Sequence, residues 1–295
     1  MKDGGDSMTG TGTQTDPYIV ENYTDFCSMT GGNAKYYKLS TDIDFSKLER
    51  TPDENPITIS FKELDGDGHT ISNYFRRENN NNYKNSFFKA STEISFRNLN
   101  FNGIYLAGGL TEFVETPYPV RYENCRIGVK IVDTYTSYST SPFFGTGIFT
   151  DCEILFEGQS KFTKLLNGKA KGTEIFSGCL IKLNLEFDNP TAGTVTAPFF
   201  GRQISFSGII GKVKCLSQNA QYQLFSGSSL CSYYAVDFNT ATSISAGNFD
   251  GTNFYDSEVM INVADKMPAD SHFYALTTAQ CKDAGYLQSI DFPCI

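Results

Sequence analysis

The chain has 295 residues, 40% of them apolar and 19% charged, with a formal charge of −9. That balance excludes a nucleic-acid interface, which needs a basic stripe, and makes an anionic membrane surface an equally poor partner. No apolar run reaches the roughly 18 residues a bilayer span requires, so no membrane insertion is expected.

Residues 1–16 are rich in Gly, Ser, Thr and Asp with little to bury, and read as a flexible or partner-ordered arm. They lack the apolar core of a secretory signal, so the chain reads as not exported by that route or already shorn of a leader. Residues 17–35 read as an N-terminal cap. Asp16 to Val20 is a short extended piece, and Asn22 caps a helix running through Met29, with Asp25 in its first turn and Phe26 and Cys27 turned inward. Asn22-Tyr23-Thr24 also matches a glycosylation sequon, a pattern that arises often by chance.

Residues 36–264 alternate apolar and polar side chains in short runs, the mark of strands with one buried face. Asp42 to Phe45 and Ile57 to Phe61 are two such runs, and Asp65-Gly66-Asp67-Gly68 is a tight corner between inward apolar residues. Arg76 to Asn82 reads as a solvated insertion. Further along, Asn124-Cys125-Arg126-Ile127, Asp151-Cys152-Glu153-Ile154 and Gly178-Cys179-Leu180-Ile181 recur at intervals of 27 residues. The pairs Phe87-Phe88, Phe143-Phe144 and Phe199-Phe200 are spaced by 56, about two such periods. Glu258 to Val263 reads as the last strand. Residues 265–295 form a C-terminal cap, in which Thr277-Thr278-Ala279-Gln280 is a capping box opening a helix from Thr278 to Gly285, with a trailing tail.

Strands recurring without long helices exclude a doubly wound sheet, and a propeller blade needs about 40 residues. The period instead suits one circuit of a parallel β-helix, whose coils stack at about 4.8 Å. The expectation is an all-β chain: a right-handed, single-stranded parallel β-helix of about eight coils with short helical caps at both ends. Stacking places Cys125, Cys152 and Cys179 in one internal column, packed as free thiols rather than as disulfides or zinc ligands. It also gives Asn124, Asp151 and Gly178 one shared turn position and makes Arg126 and Glu153 outer-face neighbours. Cys294, near the C-terminus, is placed to pair with Cys281 under oxidising conditions.

Three segments resemble known proteins. Gly10 to Val20, followed by a short helix and Asp42-Ile43-Asp44, is similar to the opening of many β-helix proteins. Asp65 to Asn73 resembles a coil turn shared by pectate-lyase-like proteins, and Leu276 to Asp283 resembles their closing motif. That group includes bacterial surface adhesins, polysaccharide-degrading enzymes and phage tail or appendage proteins. The resemblance implies a non-enzymatic structural or host-attachment component of a phage virion, located in the virion. Its partners would be other virion proteins or itself, a trimer following by analogy, with host glycan as a further partner. The alternatives are a bacterial cell-surface adhesin, and a polysaccharide lyase or glycoside hydrolase.

Cleavage of glycosides needs two carboxylates facing one bond. Asp133, the pair Asp151 and Glu153, and the pair Glu186 and Asp188 are the residues to consider, though Arg126 beside Glu153 reads as a surface ion pair. No catalytic residue is assigned. No cofactor and no metal is expected, because Asp65 to Gly68 lacks the further acidic positions of a calcium loop. Its glycines allow a sharp corner and its aspartates bond local N–H groups. Tyr135, Tyr138, Tyr233 and Tyr234 are the glycan-binding candidates, since an exposed Tyr offers a flat apolar face and a hydroxyl.

Overall fold

The structure is a computed structural model that describes residues 8–30, 32, 34–47, 57–73, 75–77, 87–107, 113–131, 146–160, 175–187, 195–198, 203–215, 220–223, 228–238, 243–245, 248–262, 272–290 and 292. The chain winds into a parallel β-solenoid. A 10-stranded sheet, here sheet A, and an 11-stranded sheet, sheet B, run the length of the described body, flanked by two 3-stranded sheets. Sheet A starts at Tyr18–Val20 and ends at Asn248–Asp250; sheet B starts at Ile43–Asp44 and ends at Phe273–Leu276. The expected count of about eight coils is therefore not what is found. Adjacent strands of sheet A pair at offsets from 19 residues, Tyr18 with Tyr37, to 32, Leu64 with Phe96, so the 27-residue period does not extend along the whole chain.

From Asn98 onward, each described turn from sheet A to sheet B passes through a single residue in the left-handed region. Asn98, Asn124 and Asp151 adopt φ of 50°, 50° and 52°, and Gly178 66°. These are the residue types that tolerate that region best. Phe206 and Cys231 hold the same corner at 48° and 47°, without such a preference. The N–H of each corner bonds the next coil, as in Asn124 N to Thr150 O at 3.0 Å and Asp151 N to Ser177 O at 2.9 Å. Side chains add a second ladder: Asn124 Nδ2 donates to Asn98 Oδ1 at 2.8 Å, and Asn98 Nδ2 to Asp65 Oδ1 at 3.1 Å.

The residue after each corner points inward. Pairing of Arg126 with Glu153 and of Glu153 with Leu180 puts Cys125, Cys152 and Cys179 one above another, all buried and free. Ser207 and Ser232 continue the column. Every member donates to the carbonyl two residues back: Cys152 Sγ to Thr150 O at 3.2 Å, Cys179 Sγ to Ser177 O at 3.4 Å, Ser207 Oγ to Ser205 O at 2.7 Å and Ser232 Oγ to Leu230 O at 3.1 Å. From Cys125 onward the column thus holds a small side chain with a donor, which cysteine and serine share, while Leu99 fills the same place next to Cys125. Contact with the Cys125 thiol, together with burial, pushes Cys152 up to about 12, so that thiol stays protonated. Replacing Cys152 by Ala should lower stability by about 1–2 kcal/mol. Cys152→Ser should cost less, because serine already serves at 207 and 232. Urea denaturation of the two variants checks this, and equal losses would show that the donor plays no part.

A second internal column lies three residues before the first. Phe96, Tyr122, Phe149 and Phe176 stack face to face, with centroids 5.5, 4.6 and 4.8 Å apart and planes within 19°, 3° and 10°. Such stacking adds to the burial free energy of each ring. The expected aromatic pairs are represented by Phe87 and Phe88, both buried; Phe143, Phe144, Phe199 and Phe200 lie outside the described residues. Towards the C-terminus the interior becomes polar but satisfied. Ser229 Oγ meets Tyr234 Oη and Asn253 Oδ1, each at 2.7 Å, and Ser232 N donates to Asn253 Oδ1 at 3.0 Å.

Several local expectations are corrected. Residues 8–16 are no free arm: Met8 is buried, Thr11 N and Thr13 N bond Asp16 O at 3.1 Å, and Ile19 N bonds Thr9 O at 2.9 Å. The cap helix α1 is Tyr23–Cys27, shorter than expected, with Asn22 Oδ1 accepting from Asp25 N and Phe26 buried. Arg76 and Arg77 lie in the strand Phe75–Arg77, which pairs with Tyr105 to Ala107, and not in a solvated insertion; residues 78–82 lie outside the described residues. Residues 258–262 are turns and helical bends around buried Met260, and the last strand is Phe273–Leu276. The capping box is present at Thr277 and Gln280, but α2 stops at Lys282 because Asp283 starts a second helix, α3, over Ala284–Ser289. Neither α2 nor α3 buries a side chain, so they do not plug the last coil.

Candidate functional site

Outward positions of sheet B carry alternating charges. Arg126 Nε lies 3.5 Å from Glu153 Oε2, Lys182 Nζ also reaches Glu153, Lys130 lies 3.5 Å from Glu157, and Lys214 lies 3.0 Å from Glu186. In each case the partners sit on adjacent strands. Two of the carboxylates considered for catalysis, Glu153 and Glu186, are therefore held by cations of the neighbouring coil. Asp151 stands at the corner, where Gly178 leaves room for its carboxylate: a Cβ on Gly178 would lie 2.3 Å from Asp151 Oδ1. Asp133 and Asp188 lie outside the described residues.

The densest polar cluster sits on the outer face of sheet A near the N-terminal coils. Glu63 and Asp65 share one strand, and Arg97 of the next coil pairs with Asp65. Arg97 Nη2 lies 3.2 Å from Glu63 Oε1 and 3.0 Å from Asp65 Oδ2. Burial, reinforced by Asp65 and Glu123 and opposed by Arg97, raises the Glu63 carboxyl. Burial would raise Asp65 too, but bonds from Asp67 N and Asn98 Nδ2, together with Arg97, take it below its ordinary value. Two carboxylates with opposed shifts are the ingredients of an acid–base pair. Here, however, one guanidinium nitrogen occupies the point between them where a substrate oxygen would have to sit. Asp65 is further spent on the corner, with Oδ1 accepting from both Asp67 N at 3.0 Å and Asn98. Asp67, at φ 50°, pairs with Lys38 at 2.9 Å. The four residues Asp65, Gly66, Asp67 and Gly68 thus build a corner, as their spacing suggested. His69 Nδ1 lies 3.2 Å from Asp42 Oδ1, which also accepts from Thr70 N at 2.8 Å. Among the described residues, no group of three His, Cys, Asp or Glu side chains is placed to hold a metal ion.

The tyrosines separate. Tyr234 is fully buried, its hydroxyl on Ser229, and cannot meet a glycan; its position in the strand Tyr233–Phe238 faces it inward. Tyr233 faces outward but is half-buried under the C-terminal segment, its ring 5.6 Å from Phe292. Burial, with the Cys281 thiol and the Asp256 carboxylate as hydrogen-bond neighbours, pushes its phenol up. Tyr135 and Tyr138 lie outside the described residues. Among the described residues, the aromatic side chains that stand in solvent are Tyr118, Phe206 and Tyr274, at 46%, 47% and 50% exposure. Tyr118 follows Pro117 in a turn, and Tyr274 falls on the outward beat of its strand. For Phe206 the signal was its place one residue before the column position, a corner that always faces out.

No protein-family model and no curated protein matches the chain. Among solved structures, one similar chain is a Bacteroides ovatus protein provisionally described as an immunoglobulin A1 protease. The two share 17% identity over 88% of this chain and 90% of that one, with a TM-score of 0.42, a likeness too loose to carry an argument about function. Among the described residues no helix is long and apolar enough to cross a membrane.

Proposed function

We propose that this solenoid, wound right-handed, is a non-enzymatic structural or host-attachment component of a phage virion. The observation that supports the non-enzymatic reading is the fate of the described outer-face carboxylates. Glu63, Asp65, Glu153, Glu157 and Glu186 each meet an arginine or lysine of an adjacent coil. Pairs of this kind in solvent contribute little individually, under about 1 kcal/mol each, but they fix the register of neighbouring coils along a rod. Rigidity and a long side surface suit a part that spaces or presents other parts. The virion assignment rests on the resemblance of the opening segment to phage members of the β-helix group. Mass spectrometry of purified particles should find the chain at fixed stoichiometry; its absence from them would end the virion reading. Incubation with host capsular polysaccharide should release no reducing or unsaturated ends. Release that is lost in Glu63→Gln would instead establish a polysaccharide-degrading enzyme.

A further inference from the structure

The last coils of sheet B differ from the rest on their outer face. The outward column that begins with Arg126 and Glu153 continues through Leu180 and Gly208 into Tyr233, Phe254 and Tyr274. Charge gives way to three successive aromatic rings. Phe254 is only 4% exposed although it points away from the solenoid interior, because the C-terminal segment lies over it. Phe292 makes that contact, 5.0 Å from Phe254 and 5.6 Å from Tyr233, and Phe292 N is tied back to Leu287 O at 2.9 Å.

At its other end the segment is pinned by polar bonds. Thr278 Oγ1 bonds the Asp256 carboxylate at 2.8 and 3.0 Å, and Thr278 N donates to Glu258 Oε2 at 3.0 Å. Between these two points α2 and α3 bury no side chain. A segment with few buried apolar contacts and solvent-exposed helical hydrogen bonds sits at the low end of a protein's local stabilities. The body beneath it is held by the parallel ladder of sheet B and by the internal column that runs through Ser207 and Ser232.

We infer that Thr278 to Ser289, with Phe292, is a strap that opens as a unit of its own, uncovering Tyr233 and Phe254 beside half-exposed Tyr274. Cys281, half-buried on α2, reports the opening through the rise in its labelling when the Phe292 contact is removed. Pulsed alkylation of the full chain, read by mass spectrometry at each cysteine, tests the inference. In native buffer Cys281 should be labelled at least about 100-fold faster than Cys152, with a rate that barely changes in low urea. Phe292→Ala, altered far along the strap from Cys281, should raise Cys281 labelling about tenfold and leave Cys152 unchanged, with Phe292→Leu in between. Hydrogen exchange at the strap amides of Leu287 and Phe292 should rise in step, while the amides of Tyr233 and Phe254, bonded to Ser207 O and Ser232 O in the body, stay protected. The inference is overturned if Cys281 and Cys152 are labelled together with one urea dependence, or if Phe292→Ala leaves Cys281 labelling as it was.

Discussion

Gly211→Ala is expected to destabilise the solenoid by about 4 kcal/mol, among the largest effects a single methyl can have. Gly211 lies in the strand Gly208–Cys215 with φ of 126°, which L-residues rarely adopt, and pairs with Leu183 below it. A Cβ built there would lie 2.0 Å from Leu183 O and 2.8 Å from Leu183 N and C. Those atoms are backbone, locked in the ladder, so they cannot turn aside as a side-chain tip can. Relief would require the coil to lift from its neighbour, breaking bonds on both sides. Gly68→Ala is the matched control: its φ is 84° but nothing lies within 4 Å of the added carbon. Conformational strain alone applies there, about 1–2 kcal/mol. Urea midpoints for the two variants separate strain from collision, and equal losses would contradict the account.

The second large effect is expected at Asp65. Asp65→Ala should cost about 2–3 kcal/mol, because Arg97, Asn98 and the Asp67 N–H lose their acceptor together. The arginine's share is discounted for solvent, since its side chain is 37% exposed. A pH signature goes with it. The Asp65 carboxyl is lower in the folded chain than in the unfolded one, so its contribution is complete above the unfolded value, about 3.9. It is lost as pH falls through the lower folded value. Glu63 has the opposite sign: raised when folded, it favours the folded state below its unfolded value, and that advantage disappears as pH rises through the folded one. Asp65→Asn should therefore flatten the acid limb of a stability–pH curve, whereas Glu63→Gln should leave neutral-pH stability equal or slightly higher. Thermal melts from pH 2 to 7 distinguish the two.

The architecture was legible because a solenoid repeats its constraints. Cys125, Cys152 and Cys179 recur with the coil, and the corner residue before each is one that tolerates positive φ, so both pitch and turn could be read. The aromatic column was equally available, as Tyr122, Phe149 and Phe176 each precede a column cysteine by three residues, but the doubled phenylalanines drew attention from it. The column's continuation through Ser207 and Ser232 was hidden because side-chain identity changed while the hydrogen-bonding role stayed. The glycan candidates failed at Tyr234 for a simpler reason: two adjacent tyrosines in a strand face opposite ways, and only the register says which one is inside.

By itself the sequence determined a parallel β-solenoid with tight Asn, Asp and Gly corners, since alternation and a fixed period leave few other ways to bury every second side chain. It also placed Cys125, Cys152 and Cys179 inside the solenoid as one column. Tertiary structure alone decided the number of coils and the ion partners of Glu63, Asp65 and Glu186, whereas Arg126 beside Glu153 was already legible. It alone decided that residues 8–16 fold back, and that the C-terminal segment lies over Tyr233 and Phe254. The division has one physical cause. Periodicity is a local property that survives in the order of residues, whereas which outward side chain meets which, and which strip a terminal segment covers, depends on register between residues far apart in the chain.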